Sequence, residues 1–153
     1  MKDIHTIQQY VLTHIPLSGA MGVQVEEATP NKVVLSAPLA PNINHRDTVF
    51  GGSASALCIL SAWTLVHFRL EGEGYGCRVV IQNNTMAYDR PIPEGFKAVS
   101  ILDDEAKWEK FTRILSSRKK ARIVLNASLE CGGKKAGLFE GTLVAAMRSA
   151  SPE

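Results

Sequence analysis

The stretch Asn44-His45-Arg46-Asp47-Thr48-Val49-Phe50-Gly51-Gly52-Ser53, running straight into the apolar segment Ala54 to Phe68, decides how this chain is read. It is a polar loop feeding a helix that is apolar all round, and a helix with no polar face has to be buried. The first turn of any helix carries N–H groups without intrahelical partners and a partial positive charge, so an oxygen gaining negative charge is stabilised there. Gly51 and Gly52 let a ligand approach that backbone closely. No carboxylate occurs from Gly51 to Leu70. Chemistry at this helix must therefore proceed without an acid or base carried on it.

Working outward, Ile4, Ile7, Val11 and Ile15 recur at helical spacing and Pro16 closes the segment, which predicts a helix over 3–15 laid across the fold as a lid. Val23 to Ala28 and Lys32 to Pro38, separated by Thr29-Pro30-Asn31, predict a β-hairpin. Arg78 to Tyr88 alternates as a strand, with Val79, Ile81, Asn83, Thr85 and Ala87 on one side and Val80, Gln82, Asn84, Met86 and Tyr88 on the other. Its polar stretch Asn83, Asn84 and Thr85 is expected at a sheet centre, where unpaired amides are costly, with one of the three facing a ligand. Lys97 to Leu102 is a further strand. Asp103-Asp104-Glu105 opens an amphipathic helix with the stripe Trp108, Phe111 and Leu115, and strands follow at 119–131 and 137–148. The order predicts an α+β fold, an antiparallel sheet wrapped around a long central helix and covering it on nearly every side.

The 153 residues suit one domain spanning 1–153 with a real core. A formal charge of +2 is too small to argue for nucleic acid. Arg118, Lys119, Lys120 and Arg122 nevertheless cluster, as do Lys134 and Lys135; they either meet a phosphate or acidic partner or are solvated charge. Cys58, Cys77 and Cys131 are odd in number and lack metal-ligand spacing, which fits a reduced, cytoplasmic setting and no metal site. The start of the chain lacks a signal-peptide pattern. The run at 54–68 is shorter than the roughly 18–20 apolar residues needed to span a bilayer, so no membrane association is expected.

Pro16-Leu17-Ser18 with Met21-Gly22, the loop from Asn44 to Ser53, and Tyr88-Asp89-Arg90-Pro91 together resemble, over nearly the whole chain, the thioesterase domain at the C-terminus of YiiD-type proteins, within the hotdog-fold acyl-thioester enzymes. Members of that family resemble malonyl-acyl-carrier-protein decarboxylases, which make the acetyl thioester that primes fatty-acid synthesis. The resemblance implies a substrate on the phosphopantetheine arm of acyl carrier protein or coenzyme A, with no separate cofactor. It also implies a homodimer with sheets continuing across the junction, so that Asn83 or Thr85 of one subunit meets Gly51 of the other, and a dimer of dimers as a further option. YiiD-type proteins often add an N-terminal acetyltransferase domain, for which this length leaves no room. Asp47 stands where family members usually carry glycine, placing an acidic side chain near the expected site. Many hotdog thioesterases resemble one another in an Asn, a later His-Gly-Gly, and an Asp or Glu two turns into the helix. Here Asn44 and Gly51-Gly52 match, Phe50 replaces the histidine, and Cys58 to Ser61 fill the place of the carboxylate.

Hydrolysis of a thioester needs an activated water, and the base that activates it contributes roughly 10²–10⁴-fold. Decarboxylation needs a place for an electron pair, an enolate oxygen held by fixed donors, each worth about 10²–10³-fold. The residues therefore favour a malonyl-thioester decarboxylase over a thioesterase with an unusual base or a non-catalytic acyl-thioester binding module. The expected catalytic groups are the Asn44 amide and the Gly51 and Gly52 N–H groups as donors, with His45, Thr48 or a water giving the final proton. Asp47, Thr48, Phe50, Ser53, Asn83, Asn84 and Thr85 are the expected substrate contacts, and Arg118, Lys119 and Arg122 the carrier contacts. Against these stand plainer roles: Asn44 capping a turn, His45 holding the loop, Asp47 bonding Arg46 or Thr48, and the glycines packing the helix. Cys58 reads as a core thiol with a raised pKa, and His67 as a residue near a helix end where a cation is favoured.

Overall fold

Asp3 caps the first helix, α1 (Ile4–His14), its carboxylate accepting the Thr6 N–H at 2.9 Å, and Ile7 and Val11 form the buried face as their spacing predicts. The computed structural model describes residues 1–149, so residues 150–153 of the expected domain lie outside it. Pro16 ends α1 but also begins a short second helix, α2 (Pro16–Met21), because a first-turn position does not use the N–H that proline lacks. β1 (Gln24–Thr29) and β2 (Lys32–Ala37) form the expected antiparallel hairpin. The outer edge of β1 is covered: Gln8 of α1 accepts the Val25 N–H at 2.6 Å and donates to the Val23 carbonyl at 2.8 Å.

A short 3₁₀ turn (Ala40–Asn42) and the polar loop lead into α3 (Gly51–Gly72), the central helix. Its length and hydropathy would suffice to cross a membrane, yet 67% of its most apolar window is buried within the fold. β3 (Cys77–Tyr88), β4 (Phe96–Ile101), α4 (Glu105–Arg118), β5 (Lys120–Cys131) and β6 (Lys134–Met147) complete the chain. α4 starts on the cap Asp104 and buries Trp108, Phe111 and Leu115, as its spacing predicts. β6 begins three residues before the predicted start, because Gly132 and Gly133, with φ of 58° and 75°, make a tight turn that pairs Cys131 with Lys134.

The six strands form one antiparallel sheet in the order β1-β2-β4-β5-β6-β3, curled around α3. This is the expected α+β hotdog arrangement, with three corrections. First, the sheet does not cover α3 on nearly every side: the stripe Gly52, Ala56, Ile59 and Trp63 stays partly open, because β3 is the edge strand and, among the described residues, no further strand closes over it. Second, Asn83, Asn84 and Thr85 lie exposed on that edge strand and not at a sheet centre, so their amides face no burial penalty. Third, a bulge between Ile81 and Asn83 breaks the alternation, so Val79 and Ile81 face the core before it and Met86 packs there after it.

The far end of α3 holds a polar knot that periodicity does not announce. Arg69, only 8% exposed, donates to both oxygens of Glu105 at 3.0 and 2.8 Å and to the Pro30 carbonyl at 3.0 Å, and its guanidinium lies 4.4 Å from the Trp108 ring centroid. Two residues back along α3, His67 stacks on both Tyr10 and Trp63, at centroid distances of 5.3 and 4.5 Å, in a cluster in which those two rings also stack on each other at 6.4 Å. Burial pushes its pKa below the usual histidine value, so the neutral ring is favoured and the helix-end cation reading is corrected.

Candidate active site at the start of the central helix

The loop before α3 is organised by Asn44. Its Oδ1 accepts the backbone N–H of Arg46 at 2.8 Å and of Thr48 at 3.2 Å, while its Nδ2 donates to Thr48 Oγ1 at 2.9 Å and to the Val49 carbonyl at 3.4 Å. This is the turn-capping role, and a ligand oxygen reaching Nδ2 would replace the long, weak contact to Val49. Asp47 has φ of 60°, a left-handed backbone that costs an L residue strain but that glycine adopts freely. That is the physical reason glycine suits this place. The Asp47 carboxylate has no hydrogen bond among the described residues, so the loop bonds expected of it are made by Asn44 instead. His45 stands exposed, and Thr48 is half-buried with its hydroxyl on Asn44.

Two backbone bonds seat the helix start: Phe50 N–H to the Asn42 carbonyl at 2.7 Å and Val49 N–H to the Ile92 carbonyl at 2.9 Å. Phe50 occupies the cap position and supplies no side-chain acceptor, so among the described residues no side chain takes up the first-turn N–H groups of Gly51, Gly52 and half-buried Ser53. Two aromatic rings lie close to the glycine pair. A Cβ on Gly52 would lie 2.3 Å from the Phe50 ring, and one on Gly51 would lie 3.4 Å from Tyr88, whose hydroxyl donates to the Gly51 carbonyl at 2.9 Å. The first turn is thus held between two aromatic rings.

Tyr88 is kept there by close strand packing. It pairs with Gly137 of β6, where an added Cβ would lie 2.6 Å from the Ala87 carbonyl. Gly137→Ala is expected to destabilise the fold by about 1–3 kcal/mol, read as a lower Tm in a circular-dichroism melt. An unchanged Tm would show that β3 and β6 can separate there without penalty.

Two different spaces open on roughly opposite sides of α3, as its 3.6 residues per turn require. On the side of Gly51 and Ala54 lies a cavity of about 390 Å³ lined also by Thr48, Tyr88, Asp89 and Arg90. On the side of Gly52 lies an apolar groove of about 250 Å³, with Leu17, Met21, Ala56, Ile59, Trp63 and Ile81 in its walls. Trp63 is a fixed wall, since its indole N–H donates to the Val79 carbonyl at 2.8 Å. Cys58, inside the fold, has its thiol pushed up to about 12 by burial and is no nucleophile.

The structure therefore brings Asn44, Thr48, Phe50, Gly51, Gly52 and Ser53 together and leaves His45 and Asp47 on the exposed rim. Asn83, Asn84 and Thr85 lie apart on the β3 edge. Arg118, Lys119 and Arg122 sit at the opposite end of the sheet: Lys120 pairs with Ala146, which pairs with Arg78, whereas Tyr88 lies at the other end of β3. Tyr88, Asp89 and Arg90 are absent from the expected site residues. Their motif was visible, but nothing local in the sequence ties Tyr88 to a helix start 37 positions away.

The whole architecture recurs in solved structures. A protein of unknown function from Chlorobaculum tepidum shares 27% identity over 94% of each chain with a TM-score of 0.90. A protein described as a putative thioesterase from Shewanella oneidensis shares 26% over 94% of this chain and 96% of that one, with a TM-score of 0.82. A thioesterase from Haemophilus influenzae, at 13% identity over 100% and 96% with a TM-score of 0.78, shares the fold. Residues 4–147 match the family described as "Putative thioesterase (yiiD_Cterm)". With nearly its full length matched, this chain belongs to the YiiD C-terminal thioesterase family of hotdog proteins.

Proposed function

We propose that this protein decarboxylates a malonyl thioester, carried on acyl carrier protein or coenzyme A, to the acetyl thioester. The observation that carries the reading is the start of α3: a first turn without a side-chain cap, with an apolar groove beginning one turn further on at Ala56, on the helix face that Gly52 shares, and no carboxylate from Gly51 to Leu70. The thioester oxygen sits on the Gly51 and Gly52 N–H groups, with the Asn44 amide as a further donor. The carboxylate lies on the groove side, near Ala56 and Ile59, where apolar walls favour losing its charge. The bond between the α-carbon and the carboxylate breaks and carbon dioxide leaves. The electron pair passes into an enolate, and one proton from His45, Thr48 or a water yields the acetyl thioester. The thioester bond stays intact throughout.

Hydrolysis is the second reading, and one observation favours it: Asp89 lines the cavity on the Gly51 side and could serve as the base that α3 lacks. Mass measurement of the product from malonyl-acyl-carrier-protein separates the readings. Loss of carbon dioxide with the thioester retained is the expected outcome, and Asp89→Asn should leave it unchanged. Free carrier thiol, abolished by Asp89→Asn, would overturn decarboxylation in favour of hydrolysis. An unchanged substrate mass would leave a binding module.

The site is completed by a second copy in this proposal. β1 has its outer edge bonded to Gln8, but β3 presents twelve residues with Arg78 as its sole charge, an edge that invites strand pairing. Pairing there would extend the sheet across a two-fold axis and set Asn83, Asn84 and Thr85 near that axis. The three cysteines are free thiols, in keeping with a cytoplasmic enzyme.

A further inference from the structure

We propose that the carrier protein docks on one subunit and delivers its thioester to the helix start of the other. The inference rests on the acyl-thioester reading and the β3-edge dimer above. Arg78, Lys120 and Arg122 are all exposed on the outer face of the sheet. Lys120 and Arg78 share a row through Ala146, and Arg122 shares the next row with Val144 and Val80, so no carboxylate interrupts them on these strands. Arg118 and Lys119 adjoin this strip at the end of α4, and Arg148 leaves β6 beside it, its N–H bonded to the Gly76 carbonyl at 2.9 Å. A strip of this sign fits an acidic protein surface.

Within one subunit the strip is too far from the site. Arg78 is ten residues from Tyr88 on β3, about 33 Å at strand rise, and Val80, in the row of Arg122, is eight residues away, about 26 Å. An extended phosphopantetheine arm is about as long as five or six residues of backbone, roughly 18 Å. A carrier bound to the strip therefore cannot reach Gly51 of the same subunit. Antiparallel pairing of the whole β3 edge with its own copy changes this, because it sets Cys77 of one subunit opposite Tyr88 of the other. Arg78 then lies at the same end of the joined sheet as the partner's helix start, on the outer face, so that the arm passes round the strand ends, and Lys120, two strands further in, lies about 15 Å along the sheet from that end at the usual strand spacing. The strip of each subunit thus serves the site of its neighbour.

The test is a mixed dimer of one wild-type subunit and one tagged subunit carrying Arg78→Glu, Lys120→Glu and Arg122→Glu, incubated with a carrier protein whose arm ends in a photoreactive acyl group. The carrier docks on the wild-type strip, so the label should fall on the reversed subunit, near Gly51, at least about tenfold over the wild-type subunit, and higher salt should weaken the labelling. Label on the wild-type subunit would overturn delivery across the dimer, and equal labelling would overturn docking on the strip. A chain that sediments as a monomer would overturn the arrangement altogether. The readout needs no turnover, so a failure of decarboxylation itself shows separately, in the product mass.

Discussion

Asn44→Ala should lower turnover of the malonyl thioester about 10²–10³-fold, the usual effect of losing one oxyanion donor. The structure adds a complication, because the same side chain also holds the loop through Arg46, Thr48 and Val49. Alanine removes both functions and should also loosen the loop by about 1–2 kcal/mol. Asn44→Asp separates them: a carboxylate still accepts the Arg46 and Thr48 N–H groups but has no N–H to offer the substrate. Steady-state rates for the two variants decide the matter. If Asp is as slow as Ala, the amide donor is required. If Asp keeps the wild-type rate, Asn44 serves the loop alone and the enolate is held by Gly51 and Gly52 without it.

Arg69→Ala should destabilise the fold by about 3 kcal/mol, measured as a lower urea midpoint. The ion pair with Glu105 contributes the smaller part, since the Glu105 side chain is 58% exposed. The larger part is the set of bonds to Pro30 and Asn31 and the stacking over Trp108, which tie the β1–β2 turn and α4 to the end of α3. Arg69→Lys keeps the charge but loses the planar fork, so it should recover a fraction of the loss. A loss below about 1 kcal/mol for alanine would reduce the knot to an ordinary surface ion pair. Turnover of the folded protein should change little, because Arg69 lies 18 residues along α3 from Gly51, about 27 Å away.

The predicted hairpin, the central helix and the Trp108, Phe111 and Leu115 stripe agree with the structure because each is written within a few turns or one strand of chain. The glycine pair at the helix start was legible for the same reason. The open stripe of α3 was not, since a helix apolar all round looks the same whether the last side is covered by its own sheet or by a second copy. Likewise, Asn83, Asn84 and Thr85 have the same sequence at a sheet centre or an edge, and strand order alone makes β3 the edge. The sequence by itself determined α1, α3 and α4, the strands, the glycine pair at a helix start and the missing carboxylate, because local periodicity and residue chemistry act over a few positions. Tertiary structure alone decided that Tyr88 grips Gly51, that Phe50 lies over Gly52, that Arg69 is buried and that the basic strip stands a full strand away from the site. Those are contacts and separations between distant segments, set by how the strands pair and by which side of α3 each one covers.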